Sequence, residues 1–216
     1  MDSGEFVMSS KYDNLPINTD YLRNLEVLSQ SISTDDRISA IGYYSRKKTN
    51  IQQRAQQVSV EFETLAAMIA TMSPGLDLFT AEGYVDEIIE ELKKGIPADK
   101  ITLYGSYGWD NIRKCCEIYY HGAQKLSGTK VVCLYHNLIE PENKNYVSVG
   151  RFEKRALLQD YSSDDSLFKI SKYEYPYLAK HFQIVAERLE LVPCELQSII
   201  HKVVSDEMKN KQVSFA

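Results

Sequence analysis

The sequence lacks the apolar runs of membrane-spanning and secreted proteins. No stretch of about eighteen consecutive apolar residues occurs, and the N-terminus has no charged segment followed by an apolar one. We therefore expect neither membrane insertion nor secretion and predict a cytoplasmic protein. Linkers rich in Pro, Gly or Ser, internal repeats and low-complexity segments are also missing. With 44% apolar residues over 216 positions, the chain can bury one sizeable core.

Cysteine is scarce: the chain contains only Cys115, Cys116, Cys133 and Cys194. This number excludes a disulfide-rich scaffold, and the spacing matches neither a metal site nor the four-cysteine signature of an iron–sulfur cluster. The four histidines do not group as metal ligands either. We therefore predict reduced thiols that pack as small apolar groups, and neither a metal nor another cofactor.

An excess of positive charge is also missing, since the formal net charge is −5. General nucleic-acid binders gain much of their affinity by neutralising phosphates, so this balance argues against one. The charge is unevenly distributed, however. Residues 43–60 carry four basic residues and no acidic one, whereas residues 111–160 carry eight basic and five acidic residues, a net +3. Each cluster is either a phosphate-binding surface or a solvated helix face.

Apolar residues recur at helical spacing through most of the chain, which predicts an all-α fold. The second helix is expected to carry Ile38, Ile41 and Tyr44 on one face. The only β-like alternation near the basic region, Tyr146 to Val149, is short. Helices are predicted from Tyr21, from Asp35, over 50–72, from Thr80 to Lys94, over 109–121, over 131–138, over 175–191 and over 193–207.

Residues that begin and end helices support these boundaries. Asn18 and Thr80 are candidate N-caps, and Pro193 suits a first helical turn. Ser73-Pro74-Gly75 ends the long third helix, because proline disfavours helical geometry in the residue before it. Gly122 ends the helix that begins at Trp109.

The predicted organisation is one helical domain over residues 16–208, with a helical hairpin near 122–138. Residues 1–15 are expected to form a flexible N-terminus and residues 209–216 a flexible tail. Gly4-Glu5-Phe6 resembles a cloning scar, so Met1 and Met8 are both candidate native starts.

Two motifs carry a resemblance to a known superfamily. Leu126-Ser-Gly-Thr-Lys130 follows a predicted helix, and Tyr146-Val-Ser-Val-Gly-Arg-Phe-Glu-Lys-Arg155 lies close behind it. They resemble the core of helix-hairpin-helix DNA glycosylases. Further segments in matching order make the chain most similar to small glycosylase-like proteins encoded by bacteriophages: Ala66 to Gly75, Asp110 to Lys114, Gly128 to Lys130, Val147 to Arg151 and Pro193 to Gln197. The resemblance implies a helix-hairpin-helix fold, DNA association and, for a phage protein, the host cytoplasm.

The resemblance also implies a DNA-binding surface. A helix-hairpin-helix directs backbone N–H groups at a phosphate and needs glycine at the close approach. Lys130 either contacts phosphate or occupies a solvated helix start. Arg151 and Arg155 either contact phosphate or a partner, or pair with Glu153 or Asp160. The candidate DNA-binding residues are Gly128, Thr129, Lys130, Arg113, Lys114, Arg151 and Arg155.

The catalytic aspartate of the superfamily is the residue that the chain lacks. The family pattern Val-Asp here reads Val149-Gly150, and glycine can neither accept a proton nor stabilise a sugar cation. Glu153 and Asp160 are the weak candidate replacements, although both fit exposed helix carboxylates as well. Whether the chain is an enzyme is left open; an active form would be a DNA N-glycosylase-like hydrolase.

Aromatic residues are abundant, with 15 tyrosines. Tyr104, Tyr107 and Trp109 fall in a predicted loop that leads into the helix expected to flank the pocket. They either stack on a flipped base or pack across helix ends.

Three functions fit these features. The first is a DNA-binding, glycosylase-like protein that recognises a base or modified base. The second is a catalytically inactive, phage-type accessory protein that uses the same scaffold to bind another protein, which would explain the acidic balance. The third is an enzyme acting on free nucleosides or nucleotides, which would need no extended DNA-binding surface.

Overall fold

The computed structural model describes residue 12, residues 15–103 and residues 108–213. Of residues 212 and 213 it describes the backbone alone. All regular secondary structure in these residues is helical, which confirms the predicted all-α class. Three short 3₁₀ turns, Ala98–Lys100, Ala123–Lys125 and Asp165–Phe168, lie between the helices. The α-helices are α1 (Thr19–Ser31), α2 (Thr34–Ile41), α3 (Tyr43–Val58), α4 (Phe62–Met72), α5 (Leu78–Lys93), α6 (Trp109–His121), α7 (Thr129–Ile139), α8 (Arg151–Leu158), α9 (Tyr175–Arg188) and α10 (Pro193–Val213).

The helices group into two compact units. Unit 1 combines the residues up to Ala40 with those from Val149 onward, and unit 2 spans Ile41–Ser148. The single domain expected over 16–208 stays a prediction. No helix among the described residues combines the length and the apolar character that a membrane crossing requires.

Helix α4 forms the centre of unit 2. Every side chain from Thr64 to Met72 is buried, and the helix packs against α3, α5, α6 and α7. A helix that is apolar on all sides needs neighbours on all sides, since each large apolar side chain gains about 1.5–3 kcal/mol from leaving water. The Ser73-Pro74-Gly75 stop is confirmed, because α4 ends at Met72 and Gly75 has a φ of +87°.

Unit 1 is built from α1, α8, α9 and α10, each of which packs against at least two of the others. Its centre contains Leu25, Phe182 and Ile199, which are fully buried. The predicted N-cap of α1 is confirmed, because the Asn18 side chain accepts hydrogen bonds from the N–H groups of Asp20 and Tyr21.

The predicted long helix over 50–72 is wrong. Helix α3 ends at Val58, Ser59 adopts a left-handed φ of 51°, and α4 begins at Phe62. The Val60 N–H donates to the carbonyl of Ala55, a bond that closes the end of α3. The apolar spacing continues across this break, because the helices on its two sides both contribute to one core.

Three smaller predictions also need correction. Asp77, not Thr80, caps α5, and its carboxylate accepts hydrogen bonds from both the N–H and the hydroxyl of Thr80. Ile38 is 65% exposed rather than facing the core. Helix α10 continues to Val213, past the predicted end near Glu207, whereas α6 has the predicted bounds, Trp109–His121. Residues 146–149 form no strand.

Candidate functional site

The hairpin of unit 2 joins α6 to α7 through two glycines. Gly122 ends α6 with a φ of +83°, and its N–H donates to the carbonyl of Ile118 over 2.7 Å. Gly128 precedes α7 with a φ of +91°. A Cβ on Gly128 would meet nothing closer than the Val131 side chain at 4.0 Å. The backbone conformation, rather than crowding, therefore requires glycine at this position.

The start of α7 is open to solvent. Gly128, Thr129 and Lys130 are all exposed, and no side chain caps the helix. The first N–H groups of a helix have no acceptor within it and give this end a partial positive charge, which favours an anion. This end of α7 is therefore accessible to an anion, and the phosphate-binding role expected for these three residues stays a prediction.

Helix α6 contributes a cation to the turn. Lys114 donates from Nζ to the hydroxyl of Ser127 and so lies against the hairpin. Arg113 is exposed on the same helix. Trp109 begins α6 and is 45% exposed, whereas the other two predicted stacking residues, Tyr104 and Tyr107, lie outside the described residues.

The segment that follows α7 is held to it by a buried amide. In the orientation that satisfies its neighbours, the Asn137 side chain accepts from the N–H of Ser148 at 3.1 Å and donates to the carbonyls of Cys133 and Tyr146 at 3.2 Å. The Tyr146 ring stacks on His136 at a centroid distance of 3.8 Å. These contacts hold residues 146–148, which have no regular secondary structure, against α7.

In unit 1, the turn at Gly150 is bonded to a buried carboxylate. Glu153 is only 3% exposed, and its Oε2 accepts the N–H of Gly150 over 2.7 Å. Its Oε1 accepts from Nε2 of Gln197 at 2.6 Å and lies 3.0 Å from Nδ1 of His201. Glu153 therefore joins the start of α8 to α10, and it is not the exposed helix carboxylate that its sequence position suggested.

Asp160, the other proposed replacement for the aspartate, forms no comparable site, and Gly150 occupies the position of the missing aspartate. Asp160 is exposed, and its carboxylate accepts the N–H of Ser162 over 2.9 Å, which is a local turn. Gly150 is buried and has a φ of −128°, extended backbone that any residue adopts. Glycine at position 150 is therefore not required by the backbone conformation, in contrast to Gly128.

The two predicted arginines of α8 both pair with Asp165, not with Glu153 or Asp160. Arg155 is 1% exposed; its Nη2 lies 2.7 Å from Oδ1 of Asp165, and its guanidinium stacks on Phe168 at 4.0 Å. Arg151 is exposed and forms an ion pair with Asp165 as well. Arg155 is therefore not placed to contact a phosphate, whereas Arg151 is accessible.

Sequence reasoning missed Gln197 and His201 as partners of Glu153. The sequence signal was present: both lie four residues apart on α10 and so share a face. Nothing in the sequence, however, indicated that α10 packs against the start of α8.

Cys115 and Cys116 lie next to each other on α6, and both are buried. Burial raises the pKa of the Cys115 thiol well above its ordinary value and that of Cys116 to about 11, so both stay protonated at neutral pH. No group of three or more His, Cys, Asp or Glu side chains in this part of the chain could hold a metal ion.

Comparison with known proteins gives one match. Neither a curated protein nor a solved structure matches the chain. One family model covers residues 12–209, nearly the whole sequence. The chain therefore belongs to that family, a family of unknown function (DUF7178).

Proposed function

We propose that this protein binds DNA through the α6–α7 hairpin and recognises a base or modified base without removing it. The observation that carries the proposal is the open N-terminus of α7, where Gly128 with its positive φ precedes exposed Thr129 and Lys130. Backbone N–H groups at such an end bind a phosphate oxygen, and a neighbouring ammonium group strengthens the contact.

The ion pairs of the two basic regions favour the hairpin, rather than residues 43–60, as the DNA-binding surface. On α3, Lys47 pairs with Glu82 at 2.6 Å, and Arg54 pairs with Asp86. These cations are used to join α3 to α5. By contrast, Arg113 and Lys130 form no ion pair with any described residue, so their charge is available to a ligand.

The contacts of Glu153 support binding without base release. A carboxylate that replaces the missing aspartate would have to face the substrate, yet Glu153 is buried and already accepts from Gly150 and Gln197. Removal of the base needs a carboxylate directed at the sugar. Recognition needs only the phosphate contacts and a stacking group, for which exposed Trp109 is the candidate.

Binding of a fluorescent DNA duplex, measured by anisotropy over a series of salt concentrations, tests this proposal. We expect Lys130→Glu to weaken binding by about tenfold and to reduce the salt slope by about 1, the contribution of one phosphate contact. Lys144→Glu is the matched control, because Lys144 is an exposed cation beyond the opposite end of α7. That helix is about 16 Å long at 1.5 Å per residue.

Two outcomes would overturn the proposal. One is the absence of DNA binding at low salt, which would favour the protein-binding accessory role. The other is an equal loss of affinity in both variants, which would show a diffuse charge effect rather than a hairpin contact.

A further inference from the structure

A buried histidine in unit 1 has its protonation state fixed by its neighbours. His181 lies on α9 and is fully buried. Its Nε2 is 3.0 Å from the backbone nitrogen of Asn18, and its Nδ1 is 2.8 Å from the carbonyl oxygen of Tyr177. A carbonyl can only accept, so Nδ1 carries the proton, and a backbone N–H can only donate, so Nε2 carries none. The geometry therefore requires the neutral Nδ1–H tautomer.

The residue that His181 holds is the N-cap of α1. The backbone N–H of Asn18 donates to the imidazole, while its side chain accepts from the N–H groups of Asp20 and Tyr21. The two residues are 163 positions apart in sequence. One hydrogen bond therefore links the start of α1 to α9 and also positions the cap that begins α1.

The surroundings of the imidazole disfavour its charged form. Burial lowers the pKa of His181 below its ordinary value of 6.5. The hydrogen bond to the Tyr177 carbonyl raises this pKa and the charge of Lys180 lowers it, but burial is the largest effect. The rings of Tyr21 on α1 and Tyr177 on α9 lie 5.3 Å and 4.7 Å from the imidazole. Burial raises the pKa of Tyr21, with Tyr177 and Glu174 adding to the effect, so this neighbour stays neutral in the range where histidine titrates.

We infer that His181 is a pH-sensitive latch that holds the start of α1 on α9 only while the imidazole is neutral. Protonation places a hydrogen on Nε2 that faces the hydrogen of the Asn18 N–H, so an attractive contact becomes a repulsive one. Acidification therefore opens the first turn of α1 while the other helices of unit 1 keep their apolar contacts. This inference does not depend on DNA binding.

The direction of the pH effect follows from linkage. Because the pKa of His181 is lowered in the folded state, the opened state binds more protons below pH 6.5. The latch is fully present above that pH and is lost as the pH falls toward the folded pKa. In that window, opening of the first turn becomes about tenfold more favourable for each unit of pH.

Amide hydrogen exchange of the full chain, followed by NMR between pH 7.5 and 5 and corrected for the intrinsic pH dependence of exchange, tests the latch. We expect the N–H groups of Asn18, Asp20 and Tyr21 to lose protection below pH 6.5. His181→Gln should abolish this pH dependence, because the glutamine oxygen accepts from Asn18 and does not titrate. His121→Gln, which changes an exposed histidine at the end of α6, should leave the dependence intact.

The ¹⁵N imidazole spectrum of the unmodified protein gives a readout that does not depend on whether the variant folds. A neutral Nδ1–H tautomer with a titration midpoint below 6.5 supports the latch. The opposite tautomer, or a midpoint at or above 6.5, would overturn it. So would a folded His181→Gln variant that loses protection with acid as the unmodified chain does.

Discussion

Gly128 and Gly150 each stand immediately before a helix, yet their surroundings differ. Gly128 precedes α7 in unit 2, is exposed, and has a φ of +91°. Gly150 precedes α8 in unit 1, is buried, and has an extended φ of −128°. The N–H of Gly150 is already bonded to the Glu153 carboxylate.

One local feature, a glycine before a helix, therefore stands in two different surroundings, one exposed and one buried. At the exposed turn, the helix N-terminus is available to an anion from solution. At the buried turn, the protein supplies the acceptor itself, since an N–H group buried without an acceptor would cost about 1–3 kcal/mol. The proposed function accordingly assigns the DNA contact to the first turn and no chemistry to the second.

Gly150→Asp should have the largest effect and tests the buried turn directly. If the resemblance is correct, the variant restores the carboxylate of the family pattern and raises base release by about 10²–10⁴-fold, the usual contribution of a positioned acid or base. Release of bases from a panel of duplexes carrying modified or mismatched bases is the measurement. Gly150→Asn is the matched control, because it has nearly the same shape and can cap a helix but cannot accept a proton.

A folded, DNA-binding Gly150→Asp variant that releases no base from any duplex would count against the resemblance. Equal activity in the Asp and Asn variants would show that the carboxylate is not the group responsible.

Glu153→Ala should have the next largest effect, because it removes the anion that satisfies the buried turn. The N–H of Gly150 and the amide of Gln197 would both lose their acceptor. We expect the free energy of unfolding to fall by about 3–5 kcal/mol, as when one partner of a buried polar cluster is deleted. Urea denaturation measures this change. Glu117→Ala, at an exposed site on α6, should change stability by less than about 0.5 kcal/mol, and a similarly small loss at position 153 would show that the cluster is not structural.

Gly128→Ala should have the smallest effect and tests the exposed turn. An alanine at a φ of +91° is strained, so the free energy of unfolding should fall by about 1–3 kcal/mol. Gly83→Ala is the matched control, because Gly83 lies inside α5 with open space around its Cβ position. That change should raise stability by about 0.5–1 kcal/mol. Thermal denaturation compares the two, and equal shifts would mean that the conformation of Gly128 is not required.

The sequence predicted the helices well where capping residues and apolar spacing coincided. Asn18 caps α1, Pro74 and Gly75 follow the end of α4, and α6 has the predicted bounds. It failed where a helix end left no strong local signal. Ser59 takes a left-handed conformation between α3 and α4 although neither proline nor glycine marks the break.

The residues of the candidate site also differ in how well the sequence predicted their surroundings. Gly128 and Lys130 were recognised from a short contiguous motif, and their exposure follows from that local geometry. The partners of Glu153 could not be recognised, because Gln197 and His201 lie 44 and 48 residues away on α10. The burial of Arg155 could not be predicted for a similar reason, because its partners Asp165 and Phe168 lie in the 3₁₀ turn that follows α8.

The sequence by itself determined the all-α class, most helix ends and the glycine hairpin, because capping, turn conformation and helical spacing act over a few neighbouring residues. Only the tertiary structure decided which polar side chains are buried and what they bond to. In the tertiary structure Glu153 is buried and bonds the start of α8 to α10, and His181 bonds to the start of α1. Burial depends on contacts between residues far apart in the chain, and these contacts decide whether a charged or polar group faces water or another part of the protein.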